Sequence, residues 1–515
     1  MVVCSRKNEP PHVRENLIQG RIAHPQDGCC KQPERMARRR ETTNDAGVLW
    51  QFGRSIKREF TSLSGGACGS GRAAVWLVGA MASGKSMKIR TLPAVSLVVA
   101  SMVGTGVFTS LGYQVNDIPS GPGIVLVWVL GGLVALCGAL SYAELAGALP
   151  RSGGEYHFIG SLYHPSLGWT AGILSAIVGF AAPTALAALA LGSYAHRAVP
   201  AVSAPAVAVV ALVLVTLAHC ITLRTSALMQ TISTALKLAL IAGFIALAFL
   251  MPGQGDIRWE FRPAEDFEII TRPAFAVALL FVFYAYSGWN AAVYLLEELE
   301  DARRTVVRAL VAGTALVMAL YVLLNVAFLK AAPVAALAGV TEVGHVAARS
   351  VFGEGAARWF SGLLTLGLVA TVSALVWAGP RVLHVMGRDF HALRVLAVRN
   401  RHGIPLPATL ILSSMAIVLI LTGDFGRLLT YTQFALTLCS FLAVFGVFLL
   451  RRRGGGGDGF RCPWYPLPPL VFLAMTGFVM IRSIVAEPVP TFAGMATVLL
   501  VWLCYFPLRN PPSNP

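Results

Sequence analysis

The sequence predicts an all-α polytopic membrane protein with about twelve transmembrane helices. Three observations carry this. Of 515 residues, 56% are hydrophobic and 13% are charged, where soluble domains carry about 25% charged residues. The charges are segregated, so that runs such as 123–142 and 232–251 are nearly free of them. Each such run is long enough to cross a bilayer, which takes about 20 apolar residues. Candidate spans centre near Ala100, Val134, Ile177, Val210, Ala242, Val282, Ala319, Val369, Val418, Ala443, Thr476 and Leu499.

Residues 1–88 differ from the rest. They mix Gly, Ser, Arg and Asn without sustained periodicity, which reads as a basic, disordered extension. Met81 or Met87 would leave a short basic stub before the first span if either were the true start. Residues 79–86 match the GxxxxGK[ST] phosphate-loop pattern. Such a loop needs a helix behind it and a parallel sheet around it. Here Pro93 and a membrane span follow within a few residues, so the match reads as chance and no cofactor is expected. The expected organisation is a membrane domain over 89–510 and a C-terminal tail over 511–515.

A net charge of +16 raises the question of nucleic acid. The distribution argues for lipid instead. Basic residues cluster before the first span, in 381–401 and at Arg451, Arg452 and Arg453, while Asp256, Glu260, Glu265, Asp266 and Glu268 share one loop. With both termini cytoplasmic, that is the positive-inside pattern. The nine cysteines include no CxxC pair and no metal-ligand spacing, so neither a disulfide framework nor a metal site is expected.

Two spans are interrupted at their middles. The first, 92–115, contains Val103, Gly104, Thr105 and Gly106; the sixth, 275–296, contains Tyr284 through Asn290 with Gly288. Non-helical backbone at membrane depth is tolerated only within protein or beside a wet cavity. A matched pair of interrupted spans points to the binding site of a secondary transporter. A half-helix starting near Gly106 would present free N–H groups and a positive dipole end to a carboxylate. A half-helix ending near Tyr284 would offer the carbonyls of Phe283, Tyr284 and Ala285 to an ammonium. A site with both suits an α-amino acid. Taken singly, small residues here could equally serve close helix packing.

Lys237 lies about three turns inside the fifth span. An intramembrane lysine is costly and faces a cavity or a partner; a lysine near a helix end would instead snorkel to the surface. Burial disfavours its charge, which makes it a candidate proton carrier. Glu144 ends the second span and Glu297 and Glu298 end the sixth, positions suited to a gating salt bridge.

Four stretches resemble an amino acid permease of the amino acid–polyamine–organocation superfamily. They are 102–108 with its GxG; 141–145 running on to Pro150, Arg151, Ser152, Gly153, Gly154, Glu155 and Tyr156; 286–290 with Glu297, Glu298 and Arg308; and Gly379, Pro380 and Arg381 with 386–389. The resemblance covers roughly residues 90–510. It implies the leucine-transporter fold: an inverted repeat of five plus five helices, about 92–251 and 273–451, and two further helices over about 463–508. It places substrate at Val103, Gly104, Thr105, Gly106, Phe283, Tyr284, Ala285, Ser287 and Asn290. Tyr284 stands where relatives have a gating aromatic, and Lys237 where sodium sits in sodium-driven cousins. Glu144, Glu155 and Glu298 are gate candidates, and Ser373 and Trp377 are guesses for the eighth span. The loop between the third and fourth spans, 196–203, has no cysteine, so a disulfide-linked heavy chain is not expected.

The expected function is therefore secondary active transport of a small-molecule amino acid across the plasma membrane (the inner membrane of a Gram-negative cell), independent of sodium, by proton symport or exchange. Uptake of a polyamine or another organic amine is the nearest competitor. It would favour acidic residues in the pocket, and the two breaks carry none. A transporter-like nutrient sensor would call for an appended signalling domain. An enzyme would call for clustered catalytic residues at one depth, and none stand out.

Overall fold

In the computed structural model the described residues are 88–508, apart from 222, 423–424, 455–458 and 487. The phosphate-loop match, Met81, Met87 and the terminal tail lie outside them. The chain divides into units 1–85 and 86–515, and the described residues all belong to the second. Among the described residues nine helices are long and apolar enough to cross a membrane. Three shorter apolar helices, Ala204–His219, Leu406–Thr422 and Leu467–Arg482, fill the remaining expected positions. All twelve expected centres fall within these helices.

The first span is α1 (Thr91–Met102) and α2 (Gly106–Gln114). The second is α3 (Gly121–Ala148), opened by Ser120, whose side chain accepts from the Gly123 N–H, with proline in the first turn. That is the usual chemistry of a helix start. A short helix α4 (Glu155–Leu162) leads to the third span, α5 (Pro165–Leu174) and α6 (Ala182–Ala198), joined by a π turn over Ser175–Ala181. Pro183 follows that turn; proline has no N–H to donate, and widened turns of this kind recur at functional sites. Then come α7 (Ala204–His219), α8 (Leu223–Leu250), the loop helix α9 (Pro263–Thr271), α10 (Pro273–Tyr286), a 3₁₀ helix at Ala291–Glu298, and α11 (Ala302–Ala331). The eighth span is α12 (Val343–Ala378) and α13 (Pro380–Asp389), followed by α14 (Leu406–Thr422), α15 (Phe425–Arg452), α16 (Leu467–Ala486) and α17 (Pro488–Leu503).

The broken helices sit at the centre. α1 packs on α11, α8 and α12, and α2 packs on α10. Glycines let backbones meet there. The conformation of Gly288 (φ +95°) is one that other residues rarely adopt, and a Cβ on it would lie 2.7 Å from the Ser101 carbonyl oxygen. A Cβ on Gly106 would lie 2.5 Å from Ala285 Cα. At the other end of the first span the chain forms a one-residue parallel bridge, Ile89 with Leu299. The Ile89 N–H donates to the Glu298 carbonyl at 2.7 Å, and the Glu300 N–H donates to the Ile89 carbonyl at 2.8 Å.

The acidic loop after the fifth span is clasped onto the start of α3. Asp266 accepts from Ser120 Oγ at 2.7 Å, from the Arg258 guanidinium at 2.7 Å and from the Arg262 N–H at 2.8 Å. The Arg258 hydrogen bond is the main reason its carboxyl is held down to about 2, from an ordinary 3.8. A depressed carboxyl stabilises the fold above its unfolded value and loses that contribution as pH falls through its folded value. The difference in Tm between wild type and Asp266→Asn should therefore be constant from neutral pH to about 4.5 and shrink toward pH 2. Melting curves of the detergent-purified protein across that range would show it, and a pH-independent difference would rule the clasp out.

Candidate functional site

A cavity opens where the two breaks meet. Its wall is built from the breaks themselves, from the π turn (Gly179, Phe180), and from Thr371, Leu375 and Glu155. The break in the first span is an inverse γ-turn centred on Val103 (φ −72°, ψ 75°), closed by the Gly104 N–H to the Met102 carbonyl at 2.7 Å. The turn leaves the Val103 carbonyl outside the helix ladder. Lys237 Nζ donates to that oxygen at 2.5 Å and to Thr371 Oγ1 at 2.5 Å, and Thr371 Oγ1 donates to it as well, at 2.9 Å. Lys237 is thus a buried ammonium on a carbonyl and a hydroxyl, and none of these partners is a carboxylate.

In the sixth span the helix runs on to Tyr286, two residues past the expected end at Tyr284, and breaks at Ser287 (ψ 150°). The Tyr286 hydroxyl, fixed on the Trp128 carbonyl at 2.9 Å, holds that last turn. Two of the three carbonyls expected to be free carry donors. The Tyr284 carbonyl accepts the Ser287 N–H at 3.0 Å and Ser287 Oγ at 2.7 Å. The Ala285 carbonyl accepts Tyr321 at 3.0 Å. The same hydroxyl also lies against the Met102 carbonyl, so its one proton is shared between the two breaks.

Gly104, Thr105, Gly106, Phe283, Tyr284, Ala285, Ser287 and Asn290 all border the cavity. Val103 does not, since its carbonyl turns to Lys237 instead. Tyr284 is buried, and its hydroxyl lies 3.1 Å from Thr105 Oγ1 across the cavity. Ser101 borders the cavity, and its buried Oγ has no partner among the described residues. Of the eighth-span guesses, Ser373 and Trp377 are corrected. The residues of α12 on the cavity are Thr371 and Leu375, one turn apart, and position 373 points about 200° away from 371. Ser373 instead bonds His219 at 2.8 Å.

Glu155, at the start of α4, reaches the cavity wall. Its carboxylate accepts from Tyr142 at 2.9 Å, from Asn290 at 2.6 Å and from Tyr294. Gly154 (φ +55°) precedes it, and a Cβ there would collide with the Tyr294 ring. Below the cavity, at the basic end, helices are joined by ion pairs. Glu144 is paired with Arg451 at 2.7 Å, Glu298 with Arg381 at 3.2 Å, Glu297 with Arg388 at 3.2 Å, and Arg151 with Asp389 at 2.6 Å. The Arg451 guanidinium also stacks 3.7 Å from the Tyr465 ring centre.

A family model described as amino acid permease matches residues 89–507. The chain belongs to this family. The permease is 28% identical over 429 residues to the human Asc-type amino acid transporter 1, covering 80% of each chain. It is 25% identical over 434 residues to the mouse b(0,+)-type amino acid transporter 1, covering 81% of this chain and 87% of that one. It is 27% identical over 440 residues to the human large neutral amino acids transporter small subunit 2, covering 81% and 80%.

Tyr321, Thr371 and Tyr294 were invisible in the permease sequence. Nothing local singles them out from the other polar residues of their helices, and only the packing shows which face each takes. Glu155 was legible as a motif residue, but its place on the cavity wall was not.

Proposed function

We propose that this permease is a secondary active transporter that moves amino acids across the plasma membrane by alternating access, without sodium, by proton symport or exchange. The observation that carries the reading is the Lys237 ammonium on the Val103 carbonyl, beside the cavity between the two breaks. A fixed cation on those oxygens repels a monovalent ion and satisfies the same acceptors. The substrate carboxylate would meet the start of α2, whose first N–H groups and dipole favour an anion, with Ser101 Oγ beside it. The ammonium would meet the sixth-span break near Phe283, whose neighbouring carbonyls are occupied. Tyr284 would close over the ligand from its bond to Thr105. The matching positions of the breaks support two five-span repeats, about 92–251 and 273–451, followed by the helices over about 463–508. The basic end, with its ion pairs, is the cytoplasmic one in this reading, and both termini lie there. Glu144, Glu298 and their arginines would be the cytoplasmic gate. The names of all three relatives describe amino acid transporters. No disulfide-linked partner is proposed, because the loop after α6 has no cysteine.

One observation favours a second reading. Glu155 supplies the acid that the breaks lack, so an organic amine is the competing substrate class. Uptake of a labelled panel of amino acids and polyamines into proteoliposomes decides between them. Amino-acid uptake should change by no more than about twofold when choline replaces sodium, less than 0.5 kcal/mol of coupling. A strict sodium requirement would remove the role given to Lys237, and uptake confined to polyamines would remove the amino-acid reading.

A further inference from the structure

The inward face of α8 is a single stripe: Ser226, Gln230, Thr234, Lys237, Ile241, Phe244 and Ala248, all buried. The stripe changes character at Lys237. Toward the far end it is apolar, and toward the basic end every member is polar. Apolar residues would pack as well there, and polar ones within a membrane are costly. The polar half covers about 16 Å at 1.5 Å per residue. Its members are linked to their surroundings step by step. Thr234 Oγ1 accepts from Gln230 Nε2 at 3.1 Å and donates to the Gln230 carbonyl at 2.6 Å, with the Ser96 carbonyl 3.5 Å away. Gln230 Nε2 also reaches the Ala370 carbonyl at 3.4 Å. Gln230 Oε1 is buried and has no partner among the described residues.

The stripe ends on a histidine. His219, the last residue of α7, is buried, with Nδ1 2.8 Å from Ser226 Oγ and Nε2 2.8 Å from Ser373 Oγ. Both neighbours are hydroxyls, which donate or accept as required. The imidazole therefore keeps two hydrogen bonds in either neutral tautomer or as the cation.

We propose that this half-stripe and His219 form the proton path between Lys237 and the cytoplasm. It rests on the transport reading above and specifies its coupling. In this path the Lys237 ammonium releases a proton to water drawn into the stripe, for which Gln230 Oε1, about 10 Å farther along α8, is an open acceptor, and becomes the neutral amine. The proton passes along that water and the Ser226 hydroxyl to His219, which becomes imidazolium and then returns it to bulk water. Lys237 regains a proton from the cavity when the other side is open. Among the described residues, the partners of Lys237 are the Val103 carbonyl just after α1 and the Thr371 hydroxyl of α12. His219 faces Trp377, stacked at 6.4 Å. The neighbouring charge is Arg381, 5.9 Å from that same ring and paired with Glu298.

The test uses the full chain in proteoliposomes, a tritiated mixture of L-amino acids and a trapped pH dye. Wild type should accumulate label and acidify the lumen under an inward proton gradient. Gln230→Met, apolar and similar in length and volume, and His219→Gln should each cut gradient-driven accumulation at least about tenfold. Both should leave counterflow exchange at zero gradient within about twofold of wild type, since exchange needs no net proton transfer. Should one variant prove polydisperse on gel filtration, the other carries the comparison. Equal loss of exchange and accumulation would make these residues structural and overturn the path, as would full accumulation in both variants. Wild-type exchange without lumen acidification would also overturn it, while leaving amino-acid transport intact. No uptake of any labelled amino acid would instead defeat the underlying reading.

Discussion

Gly106→Val should abolish uptake through loss of fit between the two broken helices. Even the first added carbon would sit 2.5 Å from Ala285 Cα and 2.8 Å from Ala285 Cβ. Those atoms belong to backbone and a methyl group, so no flexible side chain can swing away. Overpacking of this kind costs about 1–3 kcal/mol. Here the strain falls on the joint that shapes the cavity, so transport should fall by more than about tenfold and Tm should fall with it. Gly104→Ala is the control. Its added carbon would meet Thr371 Cγ2 at 3.4 Å, an ordinary contact, so the fold should persist and uptake should fall less. Initial uptake per mole of monodisperse protein, beside a melting curve, separates the two. Normal uptake and Tm in Gly106→Val would mean that the half-helices do not meet as described.

Glu155→Gln should lower uptake by about tenfold to a hundredfold, since hydrogen bonds to a charged group are worth about 1.5–3 kcal/mol each. The carboxylate receives donors from Tyr142, Asn290 and Tyr294. An amide would replace one acceptor oxygen with a donor facing donors. Because Asn290 lies at the break in the sixth span, the damage should reach the cavity whatever the substrate. Neutral and cationic amino acids should lose uptake in the same proportion. Selective loss of cationic substrates would instead make Glu155 a counter-ion and favour the organic-amine reading.

What was legible in the sequence follows from what lipid selects. Hydropathy placed all twelve helices, because a spanning helix must be apolar for its whole length. The two breaks were legible because glycine and polar residues cluster there at matching places in the two halves, and Lys237 because an intramembrane charge is costly. The rotational phase of each helix was not legible. α12 is apolar around most of its circumference, so nothing distinguished the Thr371 face from the Ser373 face before packing. The end of α10 was placed at Tyr284 because no local signal marks the Tyr286 anchor on Trp128, 158 residues away in sequence. Gly106 looked like a residue left bare for a ligand. It borders the cavity, but its missing side chain is also required by Ala285.

The bridge between Ile89 and Leu299 acts as a yoke. It joins the chain just before α1 to the end of the 3₁₀ helix after the second break, so the lower halves of the two broken helices share one strap. The natural hinges are the γ-turn at Val103 and the positive-φ Gly288, both at mid-depth and both above the strap. A tilt of one lower half about its hinge therefore drags the other. The pair forms a single rocker, and the ion pairs of Glu298 with Arg381 and of Glu297 with Arg388 fasten it to α13. A tether from Ile89 to Leu299 would be silent in such a machine. A tether of similar length from either residue to α13 would freeze it.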